Sequence, residues 1–576
     1  MKKSLVLTFV FVMLVSFGWN GYFNRAAVAD AAQADEEYTI KVDFSDIIDI
    51  SDAGANVFAG ANSGHGGHQT RIVHTSHGDY TAYITDSIES NGKTMDEFSI
   101  IKINDDGTTK VVFQEYKVYD TSQVSVFVDN DENVWAVTVG DNKLKDQFDG
   151  RVDTIIAAAY RIDKNTDEAT GYNVMVQRKT FNGYGYSSFC YDSVNDKIYT
   201  LTCSGDEPGE LVWLIFDMKT LTWDGTARAI TTNNRQSYPY IYADGKGGMI
   251  ILNERDIKCT SAGYPEVGNN DGLTAAELAK FDRWSANYLW DQLELYYIPD
   301  VYKEEFSSVL VAEADYSRVK GETQEERNSL EFRKTNEYPN FQNNRGGDTF
   351  LDADGYLHII YAKEYQLAAY TRETTERKWI HAVYDISDPN NMKEISSTEI
   401  IDDAKLDYWC SFRMYQDETG NMYIISGESN KETNSGRIVV YKVNGTPTDG
   451  YAYEELADKE YEGDSVINIS NNRSNSLIDG NIGVTLMDKA SDYDYIQVSI
   501  TYEMIPDVTP TPDPDETPGP DKTPGAETPG PSPTQTPGEQ STSDSNVVLY
   551  VVVGVVVLAA AAAIVYYVLS KKKKKE

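Results

Sequence analysis

Cysteine is scarce in this sequence: Cys190, Cys203, Cys259 and Cys410 are the four among 576 residues, and no Cys-x-x-Cys or other strong metal spacing occurs. That is too few for a disulfide framework. Cys190 and Cys203 flank one hairpin at unequal distances from its turn, so bridging them requires a slipped register, and they read as buried thiols. Positive charge is short as well. The 51 Lys and Arg against 91 Asp and Glu leave a net charge of −40. Such a surface repels nucleic acid and anionic lipid over about 8 Å at physiological salt, which removes nucleic acid from the expected partners. Long apolar runs are confined to the two ends of the chain.

The N-terminal run has the form of an export signal, residues 1–29. Lys2 and Lys3 precede an apolar stretch over residues 5–17, and Ala27-Val28-Ala29 supplies the small residues of a cleavage site. The C-terminal run, residues 547–569, opens on Val547, closes on Leu569 and is long enough to span a bilayer. Lys571 to Lys575 follow at once in a tail of residues 570–576, so the tail is expected inside and the bulk of the chain outside. Residues 506–545 repeat Thr-Pro-Gly at Thr517, Thr523, Thr528 and Thr536 without apolar periodicity, the composition of a solvated stalk. The expected protein is therefore an exported domain over residues 37–505, held at a cell surface by one membrane helix. The arrangement suggests a Gram-positive wall-spanning anchor, although the Leu-Pro-x-Thr-Gly sorting signal is absent.

Within residues 37–505 one phrase keeps returning: an apolar run, an Asp/Gly turn, a second apolar run. The turns include Asp129-Asn130-Asp131, Asp244-Gly245, Asp352-Ala353-Asp354-Gly355, Asp417 to Gly420 and Asp479-Gly480. Asp and Asn bond their own turn backbone, and Gly accepts the positive φ of a tight hairpin. The hairpins recur at roughly 50 to 65 residues with one gap of about twice that, and a third and a fourth strand follow most of them. Four strands per repeat define one blade, so the expected fold is an all-β, seven-bladed β-propeller, with six or eight blades as the alternatives. The seventh unit, with Leu477-Ile478 as its inner strand, runs into proline before a fourth strand appears. Residues 38–44 alternate apolar and polar with no hairpin partner of their own, so the N-terminal strand should complete the last blade and close the ring. Residues 255–290 interrupt the fourth blade; Thr274-Ala275-Ala276-Glu277 has the form of a helix start and predicts a short helical flap.

In a propeller the entry to each first strand and the exit from each second strand reach the same face around the central channel. The entries hold Arg71, Arg235, Arg345, Arg413 and Arg473, accompanied by Tyr184, Tyr186, Gln236, Tyr238 and Asn344; the exits hold Asp86, Asp141, Asp206, Glu254, Glu364, Glu428 and Asp488. Arginine forks match carboxylates, acids accept sugar hydroxyls and tyrosine rings cover a pyranose face, so an acidic glycan is the expected partner. The same residue types also serve as purely structural ties between blades. Two outcomes stay open, a glycan-cleaving enzyme and a non-catalytic adhesin or interaction scaffold. A lyase would use Arg235 and Arg345 to neutralise a uronate, with His68, Tyr184 or Tyr238 as acid or base. A hydrolase would need two carboxylates, for which Asp86 and Glu254 are the candidates.

Four of the six histidines, His65, His68, His74 and His77, lie close in sequence, yet the strand between the pairs sets their ends about 20 Å apart, which argues against one shared metal ion. No cofactor is expected, and calcium has in its favour only Asp-x-Asp-Gly turns that lack the remaining ligands. Gln69-Thr70-Arg71-Ile72 followed by Tyr80-Thr81-Ala82-Tyr83 resembles the opening blade of sialidase-type propellers, in which such an Arg-Ile pair delivers a carboxylate-binding arginine. Asp105-Asp106-Gly107-Thr108-Thr109 keeps the Asp-x-Gly-x-Thr core of their Asp-box. Residues 238–244, opening on Tyr238-Pro239-Tyr240, and Asn344-Arg345-Gly346-Gly347 are similar to the BNR-repeat propellers that include polysaccharide lyases. The resemblance implies a propeller that handles acidic sugars. Where such sialidases carry another arginine after the first hairpin, this chain has Asp86.

Overall fold

The computed structural model describes residues 38–50, 68–90, 93–117, 124–141, 154–177, 183–204, 209–232, 235–258, 288–314, 341–366, 374–402, 411–417, 419–430, 435–470, 480–488 and 493–504. The signal-like start, the stalk, the run at residues 547–569, Arg473, Cys259, Cys410 and His65 lie outside them, as does the helix start at Thr274.

Five sheets of four or five strands and one of eight make up the described fold. From the channel outward, the first blade is Ile72–Thr75, Gly78–Ser90, Lys93–Ile103 and Thr109–Lys117; the second is Ser125–Val128, Val134–Asp141, Thr154–Ile162 and Ala169–Gln177. The third is Gly183–Asp192, Lys197–Ser204 and Gly209–Asp217, with Thr222–Trp223 and Arg228–Thr232 sharing its outer edge. The fourth is Gln236–Ala243, Met249–Lys258, Tyr288–Ile298 and Ser307–Glu313; the fifth is Phe341–Leu351, Tyr356–Gln366, Thr374–Asp385 and Lys393–Asp402. The eight-stranded sheet contains two more, because Gly450–Ile469 is the outer strand of the sixth blade in its first part and the inner strand of the seventh in its last part. The fold is therefore an all-β, seven-bladed propeller, and the long interval before Asp352 hides no further blade among the described residues.

Ring closure follows the expectation from the sequence. Tyr38–Phe44 pairs antiparallel with Tyr493–Met504 from Tyr38 opposite Met504 to Phe44 opposite Val498, covering what would be an open edge. Ile40, Val42 and Phe44 turn inward toward the cluster between blades six and seven, and the residues between them point to water. Ile72, Tyr83, Ile101 and Ile103 of the first blade then meet Tyr493 and Tyr495 of the last. Asp79 ties the same junction, accepting from Tyr495 Oη at 2.5 Å and lying 2.5 Å from His74 Nδ1. Burial and the Asp79 charge push the Tyr495 phenol well above its usual range.

Two expectations are corrected. The inner strand of blade seven is the end of Gly450–Ile469 rather than Leu477-Ile478, so Arg473 follows that strand instead of entering it. At the expected flap, residues 255–258 and 288–290 extend the second and third strands of blade four, paired from Arg255 opposite Gln292 to Lys258 opposite Tyr288. The rest of the expected flap, residues 259–287 with the helix start at Thr274, lies outside the described residues. The Asp turns behave as expected: Asp417 Oδ1 accepts from the backbone N–H of Thr419 at 2.8 Å and Asn421 at 3.0 Å, and Gly420 closes the turn at φ +87°. Cys190 and Cys203 are buried thiols rather than a disulfide, as their spacing suggested.

Blades five and six share a buried polar line near the Asp352 turn. His358 Nε2 lies 3.1 Å from Asp352 Oδ2, His358 Nδ1 lies 2.8 Å from His381 Nε2, and His381 Nδ1 lies 2.8 Å from Tyr453 Oη. One neutral arrangement satisfies every member: Tyr453 donates to His381, His381 to His358, and His358 to the carboxylate. Burial, and secondarily the neighbouring His358, hold the His381 imidazole well below its ordinary value of 6.5. The unfolded chain therefore takes up a proton that folded His381 refuses, and stability falls as pH drops below about 6.5, by about 1.4 kcal/mol per pH unit. Thermal unfolding followed from about pH 7.5 to about pH 5 should show this decline, and His381→Phe should flatten it. Equal slopes in the two proteins would place the acid sensitivity elsewhere.

Candidate functional site

The entries of blades one, three, four and five converge on one group of side chains. His68, just ahead of Ile72–Thr75, is buried, and its Nε2 lies 3.0 Å from the carbonyl oxygen of Ser187 in blade three. A carbonyl only accepts, so this contact places the ring hydrogen on Nε2 and the lone pair of the neutral imidazole on Nδ1. Gln69 Nε2 donates to the same carbonyl at 2.7 Å. Around His68 stand three tyrosines at edge-on angles, Tyr238 at 5.5 Å, Tyr240 at 6.2 Å and Tyr186 at 6.4 Å between ring centres. The hydroxyls of Tyr186 and Tyr238 share a hydrogen bond of 3.0 Å.

Tyr238 reaches this place through an unusual backbone. Its φ is +49°, the left-handed region that a bulky residue rarely enters, and the register of Gln236–Ala243 against Met249–Lys258 slips between Ser237 and Tyr240. The bulge re-aims the Tyr238 side chain, and local strain of about 1–3 kcal/mol held by the surrounding packing is characteristic of functional positions.

Arg345 lies across the Tyr238 ring. Its guanidinium carbon is 4.5 Å from the Tyr238 ring centre and 4.1 Å from that of Trp290, and the two ring centres are 6.4 Å apart. Glu254 completes the enclosure: Oε2 is 2.9 Å from Arg345 Nη1, while Oε1 accepts from the Gly346 N–H at 2.8 Å. Tyr240 donates its hydroxyl to the Gly346 carbonyl at 2.7 Å, and a Cβ at residue 346 would come within 2.6 Å of the Tyr240 ring, so only glycine fits there. Arg345, Glu254, Tyr238 and His68 are all buried, whereas Tyr186 and Trp290 are half-buried and form the more open side.

The structure thus gathers His68, Tyr238, Glu254 and Arg345. It assigns other predicted residues differently. Arg413 donates from Nη1 to its neighbour's carbonyl, Phe412 O, at 2.7 Å and from Nη2 to Gln69 O at 2.9 Å, and its Nη1 lies 4.0 Å from Asp348, which makes it a tie between blades. Arg71 is buried beside Tyr83 and Tyr493 at the closure; burial brings its pKa down to about 10, so it stays charged at neutral pH. Its backbone N–H donates to Asn468 Oδ1 at 3.1 Å, and Asn468 Nδ2 donates to Gln69 O at 2.8 Å. Arg235 is buried at the start of blade four near Cys203, whose thiol burial pushes far up. Tyr184 and Asp86 lie within strands, but their side chains are outside the described residues. Among the exit acids with described side chains, each meets an arginine: Glu254 with Arg345, Glu364 with Arg377 at 3.1 Å and Glu428 with Arg437 at 2.9 Å. Trp290 is the member the sequence did not single out, and its signal was hidden in an apolar run. Among the described residues no group of three or more His, Cys, Asp or Glu is arranged to hold a metal.

What fold and site define is a propeller with a polar, aromatic-walled cluster at one end of its channel. No family model and no curated protein matches the chain. Among solved structures it is similar to a polysaccharide lyase, an ulvan lyase, at 10% identity and a TM-score of 0.42, over 78% of this chain and 95% of that one. It is also similar to an α-L-arabinofuranosidase from Fusarium graminearum (10%, TM-score 0.32, 66% of this chain and 92% of that one). A sialidase from Streptococcus pneumoniae follows at 11% and a TM-score of 0.30, over 76% and 69%. Likenesses of this strength carry no argument about chemistry, which rests on the residues themselves.

Proposed function

We propose that the protein binds an acidic polysaccharide at this end of the channel and cleaves it by β-elimination, displayed outside the cell on the stalk of residues 506–545 and the membrane segment of residues 547–569. The observation that carries the reading is the convergence of His68, Tyr186 and Tyr238 from three blades, with Tyr238 held there in a strained backbone. Elimination at a uronate needs a base for the C5 proton, a cation near the carboxylate and an acid for the leaving oxygen. His68 offers the lone pair of Nδ1 as base. The C5–H electron pair becomes the C4=C5 double bond, the C4–O bond breaks, and the departing oxygen takes the Tyr238 hydroxyl proton, with Tyr186 in hydrogen-bond reach to pass on a replacement. Arg345, paired with Glu254, and Arg235 are the candidates to neutralise the carboxylate. Glu254, with both oxygens occupied, is poorly placed for the hydrolytic alternative.

The test is a panel of uronic-acid and sialic-acid glycans, scored for retention and for the ultraviolet absorbance of unsaturated ends. One uronate class should give product, and His68→Gln and Tyr238→Phe should each lower the rate by about 100-fold or more while melting as the parent does. Retention without product would replace the lyase by a lectin-like receptor. Neither retention nor product would end the glycan reading and favour an adhesin for protein partners.

A further inference from the structure

We infer that Trp290 is a positioning residue: its indole holds the Arg345 guanidinium against the face of Tyr238 and thereby makes the Tyr238 hydroxyl a stronger acid. The inference rests on the functional reading above for its catalytic meaning, but the electrostatic arrangement stands without it. The Arg345 guanidinium carbon is 4.1 Å from the Trp290 ring centre and 4.5 Å from that of Tyr238, with the two centres 6.4 Å apart, so the indole bounds the space beside the phenol in which the guanidinium can move. Trp290 is itself fixed from two directions. Its backbone pairs with Asp256 in the sheet of blade four, and its backbone N–H donates to Asn343 Oδ1 of blade five at 3.4 Å.

A cation on the ring face stabilises the negative charge that spreads into the ring when the phenol ionises. Among the described residues, groups facing Tyr238 include His68 from blade one, Tyr186 from blade three, Trp290 from its own blade and Arg345 from blade five, with Glu254 behind Arg345. Of these, Arg345 favours the ionised phenol, while Glu254 tempers it by partly cancelling the arginine charge. This geometry gives two substitutions opposite effects, which loosened packing would not.

The experiment needs no substrate. Tyr238 ionisation is read by ultraviolet difference titration, each protein measured against the same protein carrying Tyr238→Phe. Trp290→Leu, which keeps an apolar side chain but offers no aromatic face, should move the midpoint up by about one pH unit as Arg345 drifts from the ring. Trp290→Phe should restore it, and Glu254→Gln should move it down. An unchanged midpoint in Trp290→Leu, or upward shifts in both Trp290→Leu and Glu254→Gln, would overturn the inference. If Trp290→Leu proves too unstable to titrate, Trp290→Met takes its place, with the same upward shift expected and an unchanged midpoint overturning the inference. With a cleaved glycan in hand, Trp290→Leu should lower kcat about tenfold at unchanged KM and move the alkaline limb of the pH profile with the titration. Shifted titrations without product from any glycan would sustain the role of Trp290 while removing the lyase reading.

Discussion

Removal of residues 38–44 should destabilise the propeller by about 3 kcal/mol or more and turn a monodisperse protein into one that self-associates. The strand closes the seventh blade by pairing along its whole length with Tyr493–Met504. Its inward residues Ile40, Val42 and Phe44 are only partly buried against the last inter-blade cluster, so each contributes less than a fully buried side chain. The second consequence follows from hydrogen bonding: the freed edge of Tyr493–Met504 presents unpaired N–H and C=O groups that another copy can use. Chemical denaturation and sedimentation of the truncated protein check both effects. Unaltered stability and an unaltered monomer would show that the ring does not depend on this closure.

Glu254→Ala should cost about 3–5 kcal/mol, more than any single replacement of an exposed acid on the chain. Arg345 is 3% exposed and sits against two aromatic rings, so the loss of Glu254 leaves a buried cation without its nearest carboxylate and the Gly346 N–H without its acceptor. The companion Arg345→Met in the same protein should recover much of the loss, because the uncompensated charge is then gone. A double-mutant cycle measured by urea denaturation separates the pair from its surroundings. If Glu254→Ala alone is nearly neutral, water reaches Arg345 and the enclosure described here is wrong.

The fold was legible where local chemistry carries it. Asp and Gly turns mark the hairpins because a tight connection needs side-chain acceptors and positive φ, and the period-two alternation of residues 38–44 shows a strand seeking a partner. Blade seven was misread at its inner strand because the chain passes from blade six to blade seven inside one extended segment, Gly450–Ile469, without a turn to announce it. The expected helix around residue 274 rested on a capping pattern, and the apolar run at residues 288–290 that extended it is strand. At the site, residue types at strand entries pointed to His68, Tyr238 and Arg345, but not to which arginine is engaged by which acid. Arg345 with Glu254, and Arg413 near Asp348, are contacts between blades far apart in sequence. Trp290 escaped notice for the same reason: its partner Arg345 belongs to the next blade.

Reception of an acidic glycan by the group around His68, Tyr186, Tyr238 and Arg345 is tested most directly by a crystal structure of the protein with a uronic-acid oligosaccharide that it retains. A sugar ring should lie against Tyr186, with its C5 within reach of His68 Nδ1 and its carboxylate toward Arg345 or Arg235. A bound oligosaccharide at any other place on the propeller, with this cluster untouched, would contradict it.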